Sequence, residues 1–482
     1  MEEILNANKL LYQLPIGVDS VSNATTTINN FNPNFYETTG GDIMFVQFPK
    51  TSTYLDAQNS YIKLKLKVQN VNDGTLYCFS NYTNDQPIDG FSVGASIMNL
   101  IESVELTSDG GQCLFKELFV NEMQTVREYR NNISRKNYLS FMGGICDNDR
   151  ADPEVLENRY PVYDGAKDTS FYIPLTEISP FFNGVLIPDL LISNAILKIK
   201  LANIAQNTKS YKINTDDPEK IYLESVSTAN NNAVLTNVAL ILSQKELYEE
   251  VRETINKKLK SPEGLEYSYY TNFNTSFVFE NNTAGQDYKI PLNLSAGKIK
   301  YVAIKPTLPQ IQGLPEIPLA SATWDNYYFD GSTPFKTVVS YNMPFGLQIR
   351  LGNNVLSTYE VKTIPEMYEQ TIRTLSNISY GDCQDVDVER CINKKSTGCV
   401  SFCNYAKLDR NLKMQSDYGV LFGFNFDRVE GLGVSGLSTG IERLLEVDVS
   451  NFKTNNTPTW YFQIQYLQTA NVFSDGQIAV NR

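Results

Sequence analysis

The chain has 482 residues, 42% apolar and 20% charged, which is enough for packed cores and too apolar for an intrinsically disordered polymer. Its 54 acidic and 41 basic residues leave a net charge of −13, which argues against a protein that wraps nucleic acid by neutralising phosphates, so no specific nucleic-acid binding is expected. Histidine is absent, which removes Ser-His-Asp and Cys-His nucleophiles, histidine metal sites and histidine pH switches.

Tyr (29) and Phe (25) are abundant and fit half-buried pleated sheet, so the expectation is β. The start, MEEILNANKLLYQLP, lacks a basic region followed by a long apolar run, so no secretory signal is expected. No run reaches the roughly 18 apolar residues of a membrane helix. These features predict a soluble chain made in a reducing compartment, the cytoplasm or nucleus.

Residues 1–40, with the run NATTTINNFNPNFYETTGG, show neither helical nor strand period and read as an extended arm. Strands begin with Ile43 to Phe48. From Tyr61 to Val68, apolar residues at even positions alternate with Lys63, Lys65 and Lys67, which puts one face in a core and one in water. At a sheet edge those lysines would also discourage edge-to-edge pairing. Ile101 to Leu106 is a strand closed by the turn Ser108-Asp109-Gly110-Gly111. Leu114, Leu118, Val120, Met123 and Val126 then recur at roughly helical spacing and predict a helix.

Further strands are predicted at Phe171 to Leu175, Ile196 to Leu201 and Val234 to Leu242. A polar helix follows over Gln244 to Lys260, stopped by Ser261-Pro262 and Gly264. Its Lys257, Lys258 and Lys260 read as a solvated helix end. After it the pattern restarts, with strands near Tyr269 to Phe279, Ile299 to Ile304, Val338 to Tyr341, Leu347 to Leu351, Gly419 to Phe426, Arg443 to Val449 and Trp460 to Leu467. A second helix is predicted at Ile364 to Leu375.

The two halves match in order. The first helix, near Leu118 to Arg130, corresponds to the second, near Pro365 to Leu375, Ser103 to Leu106 to Leu347 to Leu351, and Ala195 to Leu201 to Arg443 to Val449, with an offset of roughly 245 to 250 residues. The expected fold is all-β: two tandem eight-stranded antiparallel jelly-roll β-sandwiches with short inserted helices. The expected division is an N-terminal arm (1–40), a first jelly roll (41–243), a linker helix (244–264), a second jelly roll (265–470) and a C-terminal tail (471–482).

No motif demands chemistry. Gly431 to Gly436 spells G-x-G-x-x-G, but no helix is evident after it, and a surface loop is the better reading. Asp382, Asp385, Asp387 and Glu389 lack the spacing and the glycine of an EF-hand and read as a solvated loop. Cys383, Cys391, Cys399 and Cys403 lack the short hooks of zinc ribbons, so thiols, a disulfide or structural zinc stay open. Phe181-Phe182 and Tyr269-Tyr270 are assigned to core or interface packing. No catalytic residue, cofactor or metal ligand is named, and the chain is not expected to be an enzyme.

Three segments carry a resemblance to a family: Tyr54-Leu55-Asp56 leading into Tyr61 to Leu66; Ile101 to Gly111; and Ile173-Pro174-Leu175, Pro180-Phe181-Phe182 and Ile187-Pro188 running into the strand that ends at Leu201. Leu408-Asp409-Arg410 and Asp417 to Leu421 are similar in flavour. Together they resemble the double jelly-roll major capsid proteins of the polinton-like virus and virophage lineage. The resemblance implies a homotrimer of pseudo-hexagonal outline that tiles an icosahedral virion capsid around a DNA genome. Its implied partners are neighbouring capsomers, a vertex penton protein and minor capsid proteins. Two rival classes stay open: a secreted or surface carbohydrate-binding or glycoside-active β-sandwich, and another viral structural protein such as a spike or tail. The first would want clustered Trp for sugar stacking, where only Trp324 and Trp460 exist.

Overall fold

The computed structural model of the chain describes residues 21–32, 35–38, 41–50, 52–70, 76–79, 82–83, 86–87, 90–92, 97–123, 126, 169–184, 186–202, 209–214, 222–225, 231–307, 342–357, 359–363, 366, 370, 374, 422–426, 436–439, 444–454 and 457–481.

The first half is built on eight strands: β1 (Val21–Asn30), β2 (Ile43–Gln47), β3 (Tyr54–Asn70), β4 (Ile101–Thr107), β5 (Cys113–Glu117), β6 (Thr169–Pro174), β7 (Ile196–Leu201) and β8 (Asn231–Leu247). They form two sheets. One has the order β1-β8-β3-β6, the other β2-β7-β4-β5, and every pairing among them is antiparallel. Short strands, among them Leu76–Phe79, Gly90–Ser92, Lys209–Asn214 and Tyr222–Ser225, extend the first sheet beyond β3.

A single helix, α1 (Glu249–Leu259), leads to the second half. Glu249 and Glu250 lie in its first turn and Lys257 and Lys258 in its last, each complementing the helix dipole. Ile255 and Leu259 anchor it by burial. The turn out of it needs Gly264: its φ is +70°, and a Cβ there would stand 2.7 Å from the Val472 carbonyl oxygen.

The second half repeats the plan with β9 (Leu265–Val278), β10 (Asn282–Leu292), β11 (Ile299–Thr307), β12 (Asn342–Leu351), β13 (Val361–Thr363), β14 (Phe422–Asn425), β15 (Leu445–Thr454) and β16 (Thr459–Val472). Their sheet orders are β9-β16-β11-β14 and β10-β15-β12-β13, again antiparallel. Each strand of the first half therefore has its counterpart eight strands later. Two eight-stranded sandwiches of identical strand order are two tandem jelly rolls.

Period-two alternation drives the assembly. In the first roll Ile62, Leu64, Leu66, Leu240 and Leu242 of one sheet face Met44, Val46, Val104, Leu106, Leu197 and Ile199 of the other. In the second, Val302, Ile304, Phe462 and Ile464 face Ile290, Leu347, Ile349, Val447 and Val449. At about 25 cal/mol per Å² of apolar surface removed from water, these layers are the main stabilising term.

Several expectations change. Residues 21–30 are not part of an arm but a strand paired with β8 along its length. Their Asn and Thr side chains hide this, because the strand is held by backbone bonds at a solvated edge. Of the predicted helix, the start at Leu114 to Glu117 is instead β5, hairpinned to β4 through Ser108–Gly111 with Gly111 at φ +80°, while Val126 is helical and residues 127–130 lie outside the described residues. Sheet pairing outweighs an apolar spacing that fits either period over so few residues. Residues 244–247 remain strand, and the helix starts at Glu249. Residues 471–482, expected as a C-terminal tail, are part of the second roll's sheet: β16 runs to Val472, and β17 (Ile478–Asn481) folds back on it. β3, with its three lysines, lies inside its sheet between β8 and β6, so the lysines do not guard an edge. Glu366, Gln370 and Thr374 are helical, in keeping with the second predicted helix, whereas Val338 to Tyr341 lies outside the described residues.

Candidate assembly seam

A buried layer of polar side chains lies where the rolls meet. The sheet of β9, β16 and β11 has two covered faces. Its inner face carries Phe462, Ile464, Val302 and Ile304 into the second core. Its outer face carries Asn272, Asn274, Gln463, Gln465, Tyr301 and Lys305, all at most 4% exposed. What covers them is β5 and the turn after it.

The contacts are specific. The Tyr269 hydroxyl donates to the Leu114 carbonyl (2.7 Å) and Asn274 Nδ2 to the Leu118 carbonyl (2.6 Å). Asn272 Nδ2 donates to Glu117 Oε2 (3.1 Å), and Gln465 Nε2 donates to Asn272 Oδ1 (3.3 Å). β5 is the last strand of its sheet, so these donors satisfy carbonyls that an edge strand otherwise leaves to water. Lys305 Nζ lies 3.7 Å from Glu122, which offsets the cost of holding an ammonium at 1% exposure. Burial pushes the Tyr461 hydroxyl far above the ordinary phenol range, and the Glu122 carboxylate pushes it further.

The turn itself is strained. Phe119 has φ +52°, a conformation that costs a side-chain-bearing residue about 1 kcal/mol or more. Its ring packs 5.2 Å from that of Tyr461, so the contact with the second roll holds it there. Below this polar layer the seam is aromatic. Phe181 sits 4.8 Å from Tyr269 and 5.1 Å from Phe182, with Phe115 at 5.4 Å. Leu265, Tyr269, Ala470 and Val472 of the second half join the first roll's core, along with Ile255 and Leu259 of α1.

Of the segments singled out in the sequence, Phe181-Phe182 and Tyr269 meet in this seam. Gly436, the last glycine of the G-x-G-x-x-G run, lies against β11: a Cβ there would stand 2.8 Å from the Ile299 carbonyl, and Leu437 exchanges backbone hydrogen bonds with Ile299. The acidic cluster from Asp382 and the four cysteines from Cys383 to Cys403 lie outside the described residues. Among the described residues no group of three or more acidic or cysteine side chains is placed to hold a metal ion. The seam's polar residues were not foreseen. Gln463 and Gln465 alternate with Phe462, Ile464 and Tyr466, a pattern that normally means a water-facing side.

Two jelly rolls in tandem, of the same strand order and joined through a buried face, define the double jelly-roll class. No family model and no curated protein matches the sequence. Solved structures do match in fold. A quasi-atomic model of the PBCV-1 virus capsid aligns at a TM-score of 0.55 and 11% identity, covering 95% of this chain and 97% of that one. The Sputnik virophage structure aligns at 0.56 and 11%, covering 96% and 89%. The Faustovirus major capsid protein aligns at 0.52 and 7%, covering 93% and 90%.

Proposed function

We propose that this chain is a major capsid protein, a structural shell component and not an enzyme. The observation that carries the reading is the pair of identical jelly rolls welded by a buried seam, a fold shared over nearly the full chain with proteins of viral capsids. In this reading three copies associate, and their six similar lobes give a pseudo-hexagonal tile of an icosahedral shell around a DNA genome. Neighbouring tiles, a vertex penton protein and minor capsid proteins are its partners, and the virion is its location. In this reading α1 marks the division between the rolls. The net charge of −13 fits a shell that does not itself condense the genome and limits association before assembly.

The test is direct. The purified chain is expected to sediment at three times the 54.4 kDa chain mass, and negative-stain images are expected to show particles of hexagonal outline. A monomer at every salt and protein concentration overturns the reading.

A further inference from the structure

Three side-chain atoms in the seam are not satisfied by either roll. Asn121 Oδ1, Asn274 Oδ1 and Gln463 Nε2 are closed off from solvent and have no hydrogen-bond partner among the described residues. Asn274 and Gln463 are direct cross-strand neighbours on the outer face of β9 and β16, at 4% and 1% exposure. Ala303 of β11 completes their row. Side chains paired in this way start about 5 Å apart at Cβ.

The turn after β5 brackets that row. The Leu118 carbonyl accepts from Asn274 Nδ2 at 2.6 Å, the Phe119 ring lies 5.2 Å from that of Tyr461, and Glu122 Oε2 lies 3.7 Å from Lys305 Nζ. Tyr461 and Lys305 form the next row of the same face. Asn121 belongs to the same turn, between Phe119 and Glu122, and its backbone N–H is held by the Ile101 carbonyl (2.9 Å). That places Asn121 over Gln463 and Ala303. Ala303 is short, and its neighbours on this face of β11 are the long Tyr301 and Lys305. A methyl group between two long side chains leaves a gap, and the three unsatisfied atoms border it.

The two second-roll amides are fixed in orientation. Asn274 turns Nδ2 to the Leu118 carbonyl, which leaves Oδ1 on the other side. Gln463 Oε1 accepts from the Tyr301 hydroxyl (3.3 Å), which directs Nε2 away from it. Two acceptors and one donor call for a small molecule with two donors and one acceptor, which is water. A metal cation would meet the Gln463 N–H group and the nearby Lys305 ammonium. Buried polar atoms left unpaired are costly and rare, whereas an internal water making three hydrogen bonds is ordinary.

We propose that the seam binds one internal water, which accepts from Gln463 Nε2 and donates to Asn121 Oδ1 and Asn274 Oδ1. This water is a third component of the joint: it ties the strained turn of the first roll to two strands of the second roll's sheet. The site stands on the seam's geometry alone, whatever the chain assembles into.

A crystal structure of the full chain, at a resolution that shows ordered water, is expected to place a peak within about 2.7–3.2 Å of all three atoms. A dry gap overturns the proposal, as do side chains turned so that the three atoms pair with protein groups. A peak that grows when the crystals are soaked in rubidium chloride marks a cation and overturns it as well. Thermal melts give an independent reading. Asn121→Ala and Gln463→Leu are each expected to lower the melting temperature by a few degrees. The double variant is expected to lose little more than the larger single change, because either substitution already breaks the bridge. Losses that simply add mean that the two residues share no bridging molecule, and the proposal falls. Should a variant fail to fold, the wild-type crystal decides alone.

Discussion

The two rolls share a strand order and fill it differently. The first core is mostly aliphatic on its strands, with Ile62, Leu64, Leu106, Leu197, Ile199 and Leu240 beside Phe171, and gathers Phe115, Phe181 and Phe182 at the seam. The second is centred on Trp460, with Phe279, Phe345, Phe422 and Phe452 at 4.9, 5.5, 6.0 and 5.3 Å between ring centroids. Both solutions bury a contiguous apolar layer between two sheets. What specifies the topology is the alternation of apolar positions and the turns between strands, not the identity of the core side chains. The same freedom explains how proteins sharing 7–11% of their residues with this chain share its fold.

The seam makes a stronger claim: two different cores unfold as one unit. Trp460→Ala removes the hub of the second core, and a cost of about 3–5 kcal/mol is expected. Calorimetry should then show the whole transition moving to lower temperature. A first-roll transition that stays at the wild-type temperature would separate the rolls and break the comparison. A smaller effect probes the seam itself. Glu122→Gln leaves the Lys305 ammonium buried with a neutral neighbour and should cost about 1–3 kcal/mol. Lys305→Met removes that charge and should cost far less. If the two substitutions cost the same, the pair does not bear on the seam's stability.

Much of this was legible. Strands whose second face meets water, such as Ile196 to Leu201, announce themselves by alternation, and two of them placed the repeat. Three features were not legible, each for a tertiary reason. β1 is polar and gains its place through backbone bonds to β8. Leu114 to Glu117 suits helix or strand until β4 offers it a partner. Gln463 and Gln465 look solvated because the cover over their face comes from a hairpin some 350 residues earlier in the chain. The candidate seam was visible only as aromatic pairs, Phe181-Phe182 and Tyr269-Tyr270, without the polar layer that orients it.

The outer faces of β4 and β7 and of β12 and β15 supply the smallest and most easily tested contrast. In the first roll Lys198 faces Glu105 across the sheet. At the equivalent place in the second roll the signs reverse, with Glu446 opposite Arg350. Burial alone would raise the Glu105 pKa, but Lys116 at 3.1 Å and Lys198 at 3.4 Å hold it below its ordinary 4.5. A carboxylate held low in the folded state binds fewer protons there than when unfolded. Its contribution is therefore complete above about pH 4.5 and is lost as pH falls through the lower, folded value. Glu105→Gln should cost no more than about 1 kcal/mol at neutral pH, since all three groups are partly solvated. The gap between wild type and variant in urea melts should narrow below about pH 4.5 and disappear in stronger acid. Glu360 in the second roll, held low against its own burial by Lys362 and Ser450, should behave with the same sign. A gap for Glu105→Gln that is constant across the acid range would mean that its lysines merely sit nearby, and that the outer face of the first roll is patterned for solubility and not for strength.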